Sequence, residues 1–328
     1  MRASCCICYT TDSGYLLPTL VSAIQARRYS SREKADVAIY CLNAPVGVET
    51  VFAKVSAAEG INFNAIRSED IDGANAMLAR LFLAHLLPKD YRHFLYIDGD
   101  TQITDSLDPL LDYPVPPRRF LAASDPMTFA APGSDRHGRE IAAYFSALGI
   151  SRQQQTLYFN TGVLRVNRDG WDEIGMNAWR LFNTHQEHLR FPDQDALNLA
   201  GMALRIPMSL CWNFPIFMHN AGVRKRIAPR IKHFMGAPKP WHGNFPPWDA
   251  STHQPYLDVI MKYPELSFYL PRMSTARKLR YVAQQHYKRG LETLTWAWDE
   301  RRNRILDYEK DLSNSTNWPH LVATALPV

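Results

Sequence analysis

Phe94-Leu95-Tyr96-Ile97-Asp98-Gly99-Asp100 is the stretch that decides the fold. Its four leading apolar residues read as a buried strand, and the two acids mark where that strand leaves the core. Thr101, Asp105, Asp108 and Pro109 follow and supply turn vocabulary. In open α/β sheets, ligands collect at the carboxyl ends of strands. Two carboxylates on alternate residues can face one hard cation, and the glycine between them lets backbone and ligand approach closely. D-x-D spacing alone is weak, because about one instance is expected by chance in a chain this long. It recurs at Asp70/Asp72, where N-capping of a following helix is the plainer reading, and at Asp193/Asp195. Only Asp98/Asp100 joins a strong strand to an immediate turn.

Working outward, strand and helix alternate. Strands are predicted over 7–9, 37–42, 61–66 and 94–97, with helices over 16–26, 48–58 and 74–87, the last stopped by Pro88. This βαβ spacing predicts an α/β fold with a mostly parallel sheet covered on both faces. Further on, a strand is expected over 120–124, a loop over 126–138, a polar turn running into a strand over 159–167, and helices over 171–186 and 193–200. A short strand over 230–234 closes this part of the chain. The first turn lacks G-x-G-x-x-G, and no G-x-x-x-x-G-K-[ST] occurs, which disfavours an ordinary dinucleotide or P-loop fold.

The 328 residues are 46% hydrophobic and 21% charged, an ordinary globular composition. Met1 to Asp12 show no basic segment followed by an apolar one, and no run approaches a transmembrane span. Cys5, Cys6 and Cys8 crowd one apolar strand without a CxxC pair, so the five cysteines read as buried thiols in a reducing, cytoplasmic setting. The net charge of +5 is localised: nine Lys/Arg against three Asp/Glu lie between Arg272 and Arg304. The near-neutral remainder argues against a nucleic-acid groove.

Several further pieces occur in a telling order. They are Thr10-Thr11-Asp12-Ser13-Gly14-Tyr15, Ala79-Arg80-Leu81, the D-G-D stretch, Phe159-Asn160-Thr161-Gly162-Val163, Asp193-Gln194-Asp195, Trp212-Asn213-Phe214, and His233-x-x-Gly236-x-x-Lys239-Pro240-Trp241. With these pieces the chain resembles the retaining glycosyltransferases of family 8. The likeness is strongest to bacterial lipooligosaccharide and lipopolysaccharide galactosyl- and glucosyltransferases, with glycogenin more distant. The resemblance implies one GT-A, Rossmann-like catalytic domain over residues 1–263 that takes a UDP-hexose through Mn²⁺ or Mg²⁺.

It implies metal ligation by Asp98, Asp100 and His233, and imidazole beside carboxylates suits Mn²⁺ better than Ca²⁺. It sets Thr10, Asp12, Tyr15, Asp98, Gly236 and Lys239 against the nucleotide, with Asp12 on the uracil N3–H, Tyr15 on the ring, and Gly236 and Lys239 on the diphosphate. Gly14 stands where relatives often carry a ribose-binding Asn. Arg80, Asn160, Asp193 and Gln194 match sugar-side, catalytic positions, and Asp125 an acid near the sugar. An amide is a poor nucleophile, so Gln194 is expected to position and to stabilise charge. A double displacement through Asp193 is the minority course.

Residues 264–328 lie outside the strong resemblance. Leu279, Val282, Ala283, His286, Tyr287, Leu291, Leu294 and Trp298 recur at helical spacing among Arg277, Lys278, Arg280, Lys288 and Arg289. A basic, aromatic helix of this kind fits an anionic membrane surface, with a glycan or lipid-linked acceptor at the inner face. The competing structural reading is a helix packed on the catalytic domain. The competing activity is a metal-dependent nucleotide-sugar hydrolase, which would use the same carboxylates and histidine to activate water.

Overall fold

β1 (Cys5–Asp12) is buried along its whole length except at Asp12, as expected for a central parallel strand covered on both faces. The computed structural model that shows this describes residues 3–216, 223, 226–297 and 300–315. β1 feeds α1 (Leu16–Arg28), β2 (Ala35–Leu42), α2 (Val46–Ala58) and β3 (Asn62–Ile66), so the first three strands follow the βαβ reading. With β4 (His93–Ile97), β6 (Phe120–Ser124), β7 (Phe159–Asn167) and β8 (Arg205–Pro207) they form a seven-stranded sheet in the order β3-β2-β1-β4-β7-β6-β8. Its pairs are parallel except those β7 makes with β4 and β6.

Alternate residues of the strands supply two apolar layers. Ile7, Tyr9, Leu95 and Ile97 pack in one with Leu16 and Leu20 of α1. Cys6, Cys8, Phe94 and Tyr96 pack in the other with Trp171. All five cysteines are free and buried.

A second, three-stranded sheet positions the site. It comprises β5 (Thr101–Ile103), β9 (Phe214–Pro215) and β10 (Ile231–His233), with β10 antiparallel to β5 and parallel to β9. The chain therefore leaves the large sheet at β4, turns through Asp98-Gly99-Asp100, and enters the small sheet at β5. The register sets His233 opposite Thr101, and the Phe234 N–H donates to the Asp100 carbonyl at 2.9 Å. The ladder geometry thus brings His233 to Asp98 and Asp100 from a distant part of the sequence.

Two expectations differ from the structure. The helix expected over 74–87 is reduced to a 3₁₀ turn (Ala79–Phe82) and one short helix (Leu83–Leu86). Asp72 and Gly73 take positive φ, and the Asn75 side chain accepts the Leu78 N–H at 3.2 Å, which competes with helical bonding. The loop expected over 126–138 contains helix Pro126–Ala130 and the start of helix Arg136–Ala147, capped by Asp125 and Asp135. Asp-Pro at Ncap and N1 is a helix start as much as a loop signal.

Toward the C-terminus, helix Thr275–Ala297 carries exposed Leu279, Tyr287 and Leu291. Trp298 lies outside the described residues. Helix Glu300–Ser315 packs back on the large sheet's surroundings: Ile305 is fully buried, and Glu309 accepts from Ser209 Oγ at 2.6 Å and the Leu210 N–H at 2.7 Å. No described helix is long and apolar enough to cross a membrane.

Candidate active site

Asp98, Asp100 and His233 each offer one ligand atom within 4.8 Å of the others. His233 Nε2 stands 3.3 Å from Asp100 Oδ1 and 3.7 Å from Asp98 Oδ2. Its Nδ1 lies 2.9 Å from Asn213 Oδ1, so the Asn213 amide sets the ring orientation. An imidazole nitrogen aimed at two carboxylate oxygens needs a proton or a metal ion between them. One imidazole with two carboxylates is a donor set that fits Mn²⁺ or Mg²⁺.

The outer carboxylate oxygens are held by protein cations. Asp98 Oδ1 takes the Tyr96 hydroxyl at 2.6 Å and Arg80 Nη2 at 2.8 Å. Asp100 Oδ2 takes Lys239 Nζ at 2.5 Å. Burial works against the charge of Asp100, but Lys239, and after it His233, outweigh burial and hold the carboxyl well below the usual range.

Two glycines are demanded by packing. A Cβ on Gly99 would overlap Thr19 Oγ1 of α1, so this glycine lets the D-G-D turn seat on α1; the sequence had suggested room for a ligand. A Cβ on Gly162 would overlap the His233 ring. Gly236 is different: nothing would obstruct a Cβ there, but its φ of +74° is one that L side chains rarely adopt.

Arg80 is buried, not solvated. Besides Asp98 it pairs with Asp193 Oδ2 at 3.2 Å, donates to Met77 O and Thr161 O, and lies 4.7 Å from the Tyr96 ring centroid. Burial opposes its charge, but Asp98, Tyr96 and Asp193 more than offset that and raise its pKa. For Asp193 the balance falls the other way: burial pushes the carboxyl up, against Arg80.

Gln194 is held at both ends of its amide. Nε2 donates to Asp125 Oδ2 at 3.1 Å and Tyr158 Oη at 3.2 Å, while Oε1 accepts from Asn160 Nδ2 at 2.9 Å and the Thr161 N–H at 3.4 Å. Asn160 also donates to Asp125 at 3.1 Å and accepts from Asn213 Nδ2 at 2.8 Å, which links this cluster to the His233 ring. Asp125 divides its oxygens between capping Met127 and this cluster, and burial raises its pKa. Asp195 is the helix-start acid: fully buried, it accepts the Phe191 N–H at 2.7 Å and the Tyr144 and Tyr158 hydroxyls at 2.5 Å each.

Of the residues expected to face a nucleotide, Tyr15 is 43% exposed and edge-on to Trp241 at 5.4 Å. Exposed Asp12 accepts the Gly14 and Tyr15 N–H groups at 2.9 and 3.1 Å, holding the turn into α1. Thr10 is buried, with its hydroxyl 3.3 Å from that of Tyr96.

Asn213, Tyr158 and the hydroxyl of Tyr96 were not assigned from sequence. Asn213 sits in the quoted Trp-Asn-Phe piece, which was its available signal. Tyr158 precedes the Phe159 piece and carried none.

Residues 6–244 match the profile of Glycosyl transferase family 8. The chain belongs to that family. General stress protein A of Bacillus subtilis (strain 168) is 23% identical over 188 residues, 52% of this chain and 58% of that protein. The chain thus spans little more than half the length of that curated relative. The galactosyltransferase LgtC, solved in complex with donor and acceptor sugar analogues, superposes with a TM-score of 0.66 at 20% identity, over 81% of this chain and 100% of its own. The bifunctional glycosyltransferase WbbM superposes at 0.62 and 18% identity, over 83% of this chain and 52% of its own. GlyE of Streptococcus pneumoniae TIGR4 does so at 0.55 and 16% identity, over 84% of this chain and 66% of its own. The parallel-dominated sheet with its flanking small sheet is the GT-A fold.

Proposed function

We propose that the protein is a retaining hexosyltransferase that moves galactose or glucose from a UDP-sugar to a hydroxyl of a glycan or glycolipid acceptor. The observation that carries this reading is one juxtaposition. A triad suited to a divalent cation has an ammonium beside it, on Lys239, and a polar cluster of Arg80, Asp193, Gln194, Asn160 and Asp125 next to it. Ammonium and cation suit a diphosphate, and buried amides and carboxylates suit sugar hydroxyls. The acidic triad and the neutral remainder of the domain do not suit a phosphate-rich polymer.

Asp98, Asp100 and His233 would hold the metal, which supplies charge neutralisation to the leaving diphosphate. The chain's own residues bind and orient. Lys239 stabilises the diphosphate as the anomeric C–O bond breaks. The acceptor hydroxyl forms its new bond on the face the diphosphate leaves, and a diphosphate oxygen takes the hydroxyl proton. Gln194, with both ends of its amide engaged, positions the sugar and faces developing positive charge with its amide oxygen. Asp193, paired with Arg80, orients sugar hydroxyls.

The test is a panel of UDP-sugars with Mn²⁺, following UDP release with and without candidate glycan or glycolipid acceptors. Acceptor-dependent UDP release from UDP-galactose or UDP-glucose, lost in EDTA, is expected. Equal release without any acceptor would mean a hydrolase.

A further inference from the structure

We infer that Lys239 is the resident counter-cation of the metal triad and holds metal affinity down until a diphosphate arrives. The inference rests on the metal-assisted reading above and concerns how binding of the two ligands is coupled.

Each acid of the triad is divided between two tasks. The inner oxygens, Asp98 Oδ2 and Asp100 Oδ1, face His233 Nε2, whereas the outer oxygens are taken by Arg80 at 2.8 Å and Lys239 at 2.5 Å. Three linked carboxylates, Asp98, Asp100 and Asp193, face two protein cations, so Arg80 and Lys239 offset most of the cluster's negative charge before any ligand binds. The two cations are not equivalent. Arg80 is locked by five further contacts, to Asp193, Met77 O, Thr161 O, Thr161 Oγ1 and the Tyr96 face. Lys239 is a compact charge on a flexible stem, with fewer contacts: Asp100, Phe234 O at 2.6 Å, and the face of Trp241 at 5.9 Å from the ring centroid.

A unit positive charge a few ångströms from an incoming cation opposes it strongly in a partly buried site. A diphosphate carries more negative charge than one carboxylate and competes for the same ammonium. As Lys239 turns toward it, Asp100 regains its full charge toward the metal. By linkage, whatever the diphosphate adds to metal affinity, the metal adds to diphosphate affinity. The buried surroundings sharpen the effect, because screening there is weak.

The experiment measures Mn²⁺ binding directly, by electron paramagnetic resonance of free Mn²⁺, on the full chain with and without UDP. Wild type, Lys239→Met and Lys239→Arg are compared, with folding checked by thermal melting. Lys239→Met should bind Mn²⁺ alone about tenfold tighter than wild type, while its UDP affinity in Mn²⁺ falls about tenfold. Lys239→Arg, which keeps the charge, should stay near wild type for Mn²⁺ alone. Metal-only affinity of Lys239→Met equal to or weaker than wild type overturns the inference. Absence of Mn²⁺ binding in wild type and variants, with and without UDP, overturns the metal-assisted reading instead. Should Lys239→Met fail to fold, Lys239→Gln removes the charge, retains a donor toward Phe234 O, and is judged on the same outcomes.

Discussion

Gln194 shows how much a single side chain's surroundings say about its chemistry. All four hydrogen-bonding positions of its amide are engaged: two donors on Asp125 and Tyr158, two acceptor sites on Asn160 and Thr161. An amide held this way has a fixed direction, and Tyr158 is fixed in turn by Asp195. Such a residue acts by placement. Gln194→Ala should lower kcat at least tenfold while UDP affinity stays within about twofold of wild type, and Tyr158→Phe should move kcat in the same direction by less. Steady-state kinetics with a separate UDP titration checks this, and lost UDP binding with intact turnover would contradict it. Asp98, Asp100, His233, Arg80, Gln194 and Lys239 could be picked out from the sequence because their motifs keep a fixed order in the chain, and the fold brings them together. Asn213, Tyr158 and the Tyr96 hydroxyl were not picked out. Their parts come from contacts across the fold, and single polar residues in apolar stretches give no periodic signal for those.

At the scale of elements, the D-G-D turn depends on α1. Gly99 has no room for a methyl group because Thr19 fills that space, and Thr19 Oγ1 is itself held by Tyr15 O at 2.8 Å and Thr11 Oγ1 at 3.2 Å. Gly99→Ala should therefore cost about 1–3 kcal/mol by overpacking. In a Thr19→Ala background the same change should cost at most half as much, measured by urea unfolding of the four proteins. Equal costs in both backgrounds would show that Thr19 is not the obstacle. A second element effect concerns the turn after Lys239, where His242 Nδ1 accepts the Lys239 N–H at 3.0 Å. Burial, then Arg277 and Lys239, push the His242 pKa down to about 4 from an ordinary value of 6.5. A base whose folded pKa is depressed contributes stability that is present above pH 6.5 and is lost as pH falls toward 4. Wild type should lose more stability over that window than His242→Asn, by up to about 1 kcal/mol per pH unit; parallel unfolding curves would refute this. The strands were legible from apolar runs and Gly/Pro punctuation. The 74–87 and 126–138 segments were misread because side-chain caps decide them. Asn75 breaks one helix and Asp125 and Asp135 start two others, and periodicity is blind to caps.

For the whole molecule, the question is what the C-terminal basic segment does. Its two helices differ. Helix Glu300–Ser315 is tied to the catalytic core by Ile305, by Glu309, and by Tyr308 donating to Met208 O at 2.7 Å. Helix Thr275–Ala297 instead presents Leu279, Tyr287 and Leu291 to solvent beside exposed Arg277, Arg280 and Lys288, and among the described residues no carboxylate pairs with these three cations. We propose that this helix docks the enzyme on an anionic membrane and that the helix after it anchors the docking surface to the active site. Each basic residue near such a surface is worth about 1 kcal/mol, falling off within a Debye length. A cut after Pro271 is a poor test, since it would strip the buried contacts of Ile305 and Glu309 from the core. Charge reversal at Arg280 and Lys288 leaves those contacts in place. Losing two cations should weaken binding to phosphatidylserine-containing vesicles at low salt by roughly thirtyfold, and reversing them by more. Turnover of a water-soluble acceptor should stay within about twofold of wild type, because neither side chain is among the hydrogen-bond or ion-pair partners that the triad and the sugar-side cluster show among the described residues. Full-length protein that ignores anionic vesicles, or a reversal that leaves vesicle binding intact, would return the helix to a purely structural role.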